Sequence, residues 1–267
     1  MEIFGYILSA LIGLSLGLTG GGGSILTVPV LVYAFGIPPT LSISYSLFIV
    51  GITSFVGAYT NYRKKLISIK TALTFGAMSI VMVILTRKFI LPIIPHILFS
   101  IVSIQVNKEV FSMLLFSMLM LIASITSLKE KTKVKLAPSL AGHHHMGQLI
   151  LNGAGVGIVT GLLGAGGGFL LIPVLMNFMK MPIKVAIGTS LLIIGMNSLV
   201  GFLTDLSQHE VDWSFVLSIT TISILGVITG SLLSRRISGE KLKLGFGWFV
   251  LLMGIYILVR EILQVLF

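Results

Sequence analysis

The chain has 267 residues, 55% of them hydrophobic and only 10% charged, and a mean hydropathy of +1.09. That composition leaves too little polar surface for a soluble domain and implies an integral membrane protein. The net charge of +10 then reads as Lys and Arg gathered in cytoplasmic loops, not as a nucleic-acid footprint, which would need a soluble basic domain.

Along the chain, residues 3–18 are apolar, a glycine stretch follows, and 24–35 are apolar again. Long apolar segments then run over 41–60, 69–86 and 110–128. After a polar stretch at 129–146 the pattern restarts: 147–163, a second glycine stretch, 169–179, 185–204, 213–234 and 244–266. Several of these segments approach the roughly 20 residues that a helix needs to cross a bilayer. There is no cysteine, so disulfides and thiolate metal sites are excluded. The first residues carry no basic cluster and their pattern recurs later, so a cleaved leader is not expected.

The restart is an internal duplication. Sliding the chain by 144 residues places Pro29 on Pro173, and Gly20, Gly22 and Gly23 on Gly164, Gly166 and Gly167. The same step pairs Gly13 with Gly157, Gly17 with Gly161, Pro38 with Pro182, Ser46 with Ser190 and Ser54 with Ser198. A period this long indicates two halves of one unit, not a solenoid. The expected units are repeat 1 over 1–128, a central loop over 129–146, and repeat 2 over 147–267, forming one transmembrane domain.

Charge decides the topology. Loop 61–70 carries Arg63, Lys64, Lys65 and Lys70, whereas its counterpart 205–212 carries Asp205, Glu210 and Asp212 and no Lys or Arg. By the positive-inside rule these equivalent loops lie on opposite sides. Basic residues at 129–135 and 235–243 place both of those segments inside. An odd number of crossings must then separate 129–135 from 205–212. Segment 185–204 supplies one, so 147–179 supplies none or two. As helices, arms 3–18 and 24–35 would be about 24 and about 18 Å long, short of the ~30 Å hydrocarbon core. The predicted fold is all-α: two inverted repeats, each a glycine-tipped re-entrant helical hairpin plus three transmembrane helices, with both termini outside. Arg87 and Lys88 are the discordant charges, since this scheme puts them outside. Residues 89–106 have no counterpart in repeat 2 and are expected to form an interfacial helix. The run His143-His144-His145 is expected to be solvated.

Non-helical backbone at membrane depth survives only where it is buried in protein or lines a wet cavity. Two such stretches, duplicated and inverted, point to a transporter's central site. The helices starting near Ser24 and Gly168 would aim their positive ends and free N–H groups at the tips, a geometry suited to an anion. Glycine lets a ligand approach those amides closely. The spaced pairs Gly13/Gly17 and Gly157/Gly161 instead fit close helix packing. A Walker A loop is excluded because no Lys-Ser or Lys-Thr follows the glycines.

No acidic residue occurs between Glu2 and Glu109, or from Gly147 to Thr204. A cation or proton pathway needs Asp or Glu at depth, so a cationic substrate is disfavoured. Asp205 ends its segment and is expected at the membrane surface. The candidate substrate-binding residues are Thr19, Gly20, Gly21, Gly22, Gly23, Ser24 and Ser46 in repeat 1. In repeat 2 they are Gly164, Ala165, Gly166, Gly167, Gly168, Thr189, Ser190 and Asn197. No catalytic residue, metal or cofactor is expected, because the five histidines fall in loops or the insertion and form no nucleophile–base pair.

The stretch Gly17-Leu-Thr-Gly-Gly-Gly-Gly-Ser-Ile-Leu-Thr-Val-Pro29-Val-Leu and its repeat Gly161-Leu-Leu-Gly-Ala-Gly-Gly-Gly-Phe-Leu-Leu-Ile-Pro173-Val-Leu resemble the signature of the TauE/SafE, or sulfite exporter, family. The resemblance covers the whole chain, with the insertion at 89–106 as a departure. It implies a multi-pass protein of the cytoplasmic membrane that moves a small anion such as sulfite, thiosulfate or sulfoacetate. An alternating-access carrier is expected to hold that anion at the two tips. A passive anion channel would use the same tips without alternating closure. The expected partners are the small anion and the lipid bilayer, with no nucleic acid.

Overall fold

The computed structural model describes residues 2–21, 23–93, 97–101, 104–129, 146–164, 166–177, 179–206, 210–234 and 239–266. Gly22, Ala165, the five histidines, Arg235 and Arg236 lie outside the described residues.

The described residues are almost entirely helical. Helix α1 (Glu2–Thr19) leads through the first glycine tip into α2 (Ser24–Phe35). A left-handed Gly36, with φ 71°, ends α2, as a residue without Cβ does at low cost. Pro38 and Pro39 follow, and Pro39 opens α3 (Pro39–Arg63), where a missing N–H costs nothing. Next come α4 (Ile69–Leu85), a π-helical turn at Thr86–Ile90 and the short α5 (Leu91–Ile93). After a β-hairpin, α6 (Lys108–Lys129) completes the first half.

The second half repeats the order: α7 (Met146–Leu163), the second tip, α8 (Gly168–Asn177), α9 (Ile183–Asp205), α10 (Trp213–Leu233) and α11 (Gly239–Leu266). Asp212 caps α10 by accepting a hydrogen bond from the Phe215 amide at 3.1 Å. Among the described residues, four helices are long and apolar enough to cross a membrane: Pro39–Arg63, Ile69–Ile93, Ile183–Asp205 and Trp213–Leu233.

The insertion departs from the expected interfacial helix. Strands β1 (Ile97–Ile101) and β2 (Ile104–Asn107) pair antiparallel, with Ile101 opposite Ile104. The β-branched residues Ile97, Ile101, Ile104 and Val106 favour a pleated surface.

Contacts recur at the 144-residue step. Helix α1 lies along α10, and α7 lies along α4. Gly13 rests on the backbone of Ser223 and Gly17 on that of Val227, while Gly157 rests on the backbone of Ser79 and Gly161 on the side chain of Thr86 in the π-helical turn. These four glycines are packing devices, as their spacing suggests. Helices α3 and α9 pack against each other, as do α2 with α8 and α6 with α11. The contact of α3 with α9 is filled by side chains, with Leu199 against Gly51 and Phe55 against Gly195. At one end of the first hairpin the ring of Tyr6 meets Phe35 edge-on at 5.6 Å, so α1 and α2 fold back on one another.

Candidate functional site

The two glycine tips meet. A Cβ placed on Gly168 would lie 2.7 Å from the carbonyl oxygen of Gly21, and one on Gly21 would lie 2.5 Å from that of Gly168. Any side chain at either position would push the tips apart, so glycine is required there by contact. Gly20, Gly164, Gly166 and Gly167 have φ between 64° and 75°, the left-handed region that L side chains avoid. The N-termini of α2 and α8 therefore converge, bringing together two helix ends of partial positive charge. The intervening Gly23 is buried against α1.

Two hydroxyls pin this junction. Ser46 Oγ on α3 donates to the Gly164 carbonyl at 3.0 Å, and Ser190 Oγ on α9 donates to the Gly20 carbonyl at 2.9 Å. Each serine thus holds the tip of the opposite half, and the two bonds are equivalent under the 144-residue step. Ser24 Oγ donates to the Gly21 carbonyl at 2.7 Å, and Thr19 Oγ1 to the Ser15 carbonyl at 2.8 Å. These hydrogens are engaged with backbone, so the four side chains shape the tips first.

Thr189 is used elsewhere. Its Oγ1 accepts from the Ser68 amide at 3.0 Å, and the equivalent Tyr45 hydroxyl accepts from the Asp212 amide at 2.9 Å. Both bonds tie α3 or α9 to the start of a helix from the other half. Asn197 lies closer to the polar centre: its Nδ2 donates to Ser79 Oγ at 2.6 Å, and its Oδ1 is buried without a partner among the described residues.

Three groups at this centre were not among the sequence candidates. Ser198 Oγ lies 2.9 Å from a Cβ placed on Gly166, Thr160 Oγ1 faces Gly167, and Ser54 is the repeat-equivalent of Ser198 on α3. All three hydroxyls are buried and unpartnered among the described residues. Leaving a buried hydroxyl unmade costs about 1–3 kcal/mol. Ser198 and Thr160 beside the second glycine tip are capacity for a polar ligand. The register pairing Ser54 with Ser198 was visible in the sequence, but nothing in it distinguished them from other membrane serines.

Asp205, which ends α9, is buried in protein. It is only 6% exposed and forms an ion pair with Arg87, which is 2% exposed; Ser44 Oγ donates to the same carboxylate oxygen. A buried charge persists only when paired. The π-helical turn that follows α4 carries Arg87, and α9 extends to Asp205, so the two meet from different halves of the chain.

Among the described residues no cluster of His, Asp and Glu could hold a metal ion.

A "Probable membrane transporter protein" of Xylella fastidiosa (strain Temecula1) is 29% identical over 258 residues, covering 94% of this chain and 92% of that relative. One from Methanocaldococcus jannaschii is 24% identical over 269 residues, covering 94% and 93%. The Bacillus subtilis protein YjnA, with the same description, is 25% identical over 261 residues, covering 96% and 99%. No solved structure matches the chain. Apolar helices of spanning length, together with relatives of this description along the whole chain, define a multi-pass membrane transporter. The chain belongs to the sulfite exporter TauE/SafE family, whose profile matches residues 6–257.

Proposed function

We propose that the protein carries a small sulfur-containing anion, such as sulfite, thiosulfate or an organosulfonate like sulfoacetate, across the cytoplasmic membrane by alternating access. The observation that carries this reading is the meeting of the two glycine tips at Gly21 and Gly168. Two positive helix ends converge there, the hydroxyls of Ser198 and Thr160, unpartnered among the described residues, lie beside the second tip, and no carboxylate precedes Asp205 in the second half to repel an anion. The amides of Gly21, Gly23, Gly166, Gly167 and Gly168 are the donors this reading offers the anion, whereas those of Gly20, Ser24 and Gly164 bond to the carbonyls of Leu16, Gly21 and Thr160. Ser198, Thr160 and Ser54 add hydroxyl donors, and Ser46 and Ser190 fix the tips in place. The family's description supports the sulfur chemistry.

The two halves are inverted repeats in this reading, with repeat 1 over 1–128 and repeat 2 over 147–267, and each α1–α2 or α7–α8 pair is a re-entrant hairpin. Three features favour it: the opposite charge of equivalent loops, the pairing of α1 with α10 as α7 with α4, and the reciprocal serine pins. Rocking of the α1–α10 pair against the α4–α7 pair around the tips would expose the anion to one side and then the other.

The test is ligand-dependent thermal stabilisation of the purified protein by sulfite, thiosulfate, sulfoacetate, sulfate, chloride and alkali cations. A ligand that binds only the folded state raises the melting temperature by mass action. Stabilisation by a sulfur oxyanion that shrinks in Ser198→Ala and Thr160→Val is the expected result. Stabilisation by a cation alone, or by none of the panel, refutes the reading. Saturable flux with counterflow in vesicles separates a carrier from a passive channel.

A further inference from the structure

The ion pair of Arg87 and Asp205 is not a balanced one. Asp205 engages a single guanidinium nitrogen, Nη1, while Nε and Nη2 of Arg87 are buried and have no partner among the described residues. A guanidinium presents five donors in a fixed fork that matches the paired oxygens of an oxyanion. One carboxylate oxygen shared between Arg87 and Ser44 leaves most of that fork unmatched.

The position of the fork connects it to the tips. Ser44 lies on α3 between Ile43 and Ser46, and both of those residues contact Gly164 of the second tip. Thr86, the residue before Arg87, lies against Gly161 at the base of that tip. Arg87 and Asp205 therefore lie beside the second tip, toward the end where α3 begins and α9 ends. It is carried on a π-helical turn, an irregularity often found at functional sites.

The opposite ends of α3 and α9 are built differently. Under the 144-residue step, Ser44, Asp205 and Arg87 correspond to Gly188, Asn61 and Ser231. There Asn61 bonds its own helix at Gly57, and Ser231 Oγ accepts from Lys64 Nζ at 3.3 Å. A buried charge pair thus lies at one end of the α3–α9 contact, and a neutral set with a lysine at the other.

Resting on the reading above, we propose that Arg87 is a second anion-binding residue at the end of the path next to the second tip. Asp205, steadied by Ser44, occupies it when no anion is there. A sulfur oxyanion leaving the tips displaces Asp205 from the guanidinium and takes two or more of its N–H groups. Asp205 is thereby a competitor of the substrate and a gate, because the path opens there only when a second anion is present to satisfy Arg87. Leaving the arginine buried and unpaired would otherwise oppose opening.

The experiment titrates thiosulfate and sulfite against the purified full-length protein and its variants, reading dissociation constants from thermal stabilisation. Removing the competitor in Asp205→Asn is expected to tighten binding by about 10-fold or more, within the usual range of coupling between competing groups. The double variant Arg87→Gln/Asp205→Asn, which buries no charge, is expected to fold and to lose that gain. Unchanged or weaker binding in Asp205→Asn overturns the proposal and leaves the pair a structural tie. If Asp205→Asn does not fold, Ser44→Ala removes one donor from Asp205 and is expected to tighten binding several-fold; no tightening there overturns the proposal equally. The wild-type arm separates the two readings. If neither anion stabilises the wild-type protein, binding at the tips fails first and this inference falls with it.

Discussion

Ser46 donates its hydroxyl to the carbonyl oxygen of Gly164 across the interface between the two halves, at 3.0 Å. With its counterpart on Ser190 and Gly20, it holds each tip by a helix of the other half. Ser46→Ala and Ser190→Ala are each expected to cost about 0.5–1.5 kcal/mol of stability, the net worth of such a bond. Because the tips carry the proposed anion site, both variants are also expected to weaken thiosulfate binding by similar factors. Thermal melts with and without thiosulfate check both effects.

The tip contact tolerates no side chain. Gly168→Ala would set a Cβ 2.7 Å from the Gly21 carbonyl oxygen, which is backbone and cannot swing away. Overpacking of this kind costs about 1–3 kcal/mol. The expected outcome is a lower melting temperature together with loss of anion-dependent stabilisation. By contrast, Gly36→Ala has open space for its Cβ and is strained only by its φ of 71°. It is expected to lower stability by about 1 kcal/mol and leave anion binding intact.

Topology is tested in cells. Single cysteines at Lys65 and Glu210, introduced into this cysteine-free chain, are expected to react with an impermeant maleimide from opposite sides of the membrane. Labelling of both from one side would refute the inverted arrangement without touching the tip geometry.

A tie at the flank gives a control. Tyr33 on α2 donates to Glu261 on α11 at 2.7 Å, and Arg260 stacks 4.4 Å from the Tyr33 ring centroid. Glu261 is buried at 4% exposure, so Tyr33→Phe leaves its carboxylate short of a donor. The variant is expected to lose about 1–3 kcal/mol of stability while the thiosulfate dissociation constant stays within about two-fold of wild type. A melt with and without the anion distinguishes this from the tip variants.

Much of this organisation was legible in the sequence because duplication leaves a register that can be read by sliding the chain. Pro29 and Pro173, the glycine stretches and the small-residue spacing of α1 and α7 all announced themselves this way. Burial of charge did not. Arg87 and Asp205 are 118 residues apart, and each taken alone looks like a charge at the end of an apolar segment. Only the π-helical turn and the full length of α9 bring them together. Thr189 was misleading for a related reason. Its sequence position beside Ser190 suggested the tips, but adjacent residues on a helix point in different directions, and its oxygen serves the start of α4. In the insertion, the sequence pointed to an interfacial helix and not to the strand pairing that uses its β-branched residues.

The glycine-lined contacts also determine what can slide. Where α1 presses on α10 and α7 on α4, main chain seats directly against main chain, and each pair is keyed together like interlocking teeth. Where α3 packs on α9, the side chains of Leu199 and Phe55 intervene instead. The molecule thus has two stiff girders, α1 with α10 and α4 with α7, that meet on a softer bearing of side chains.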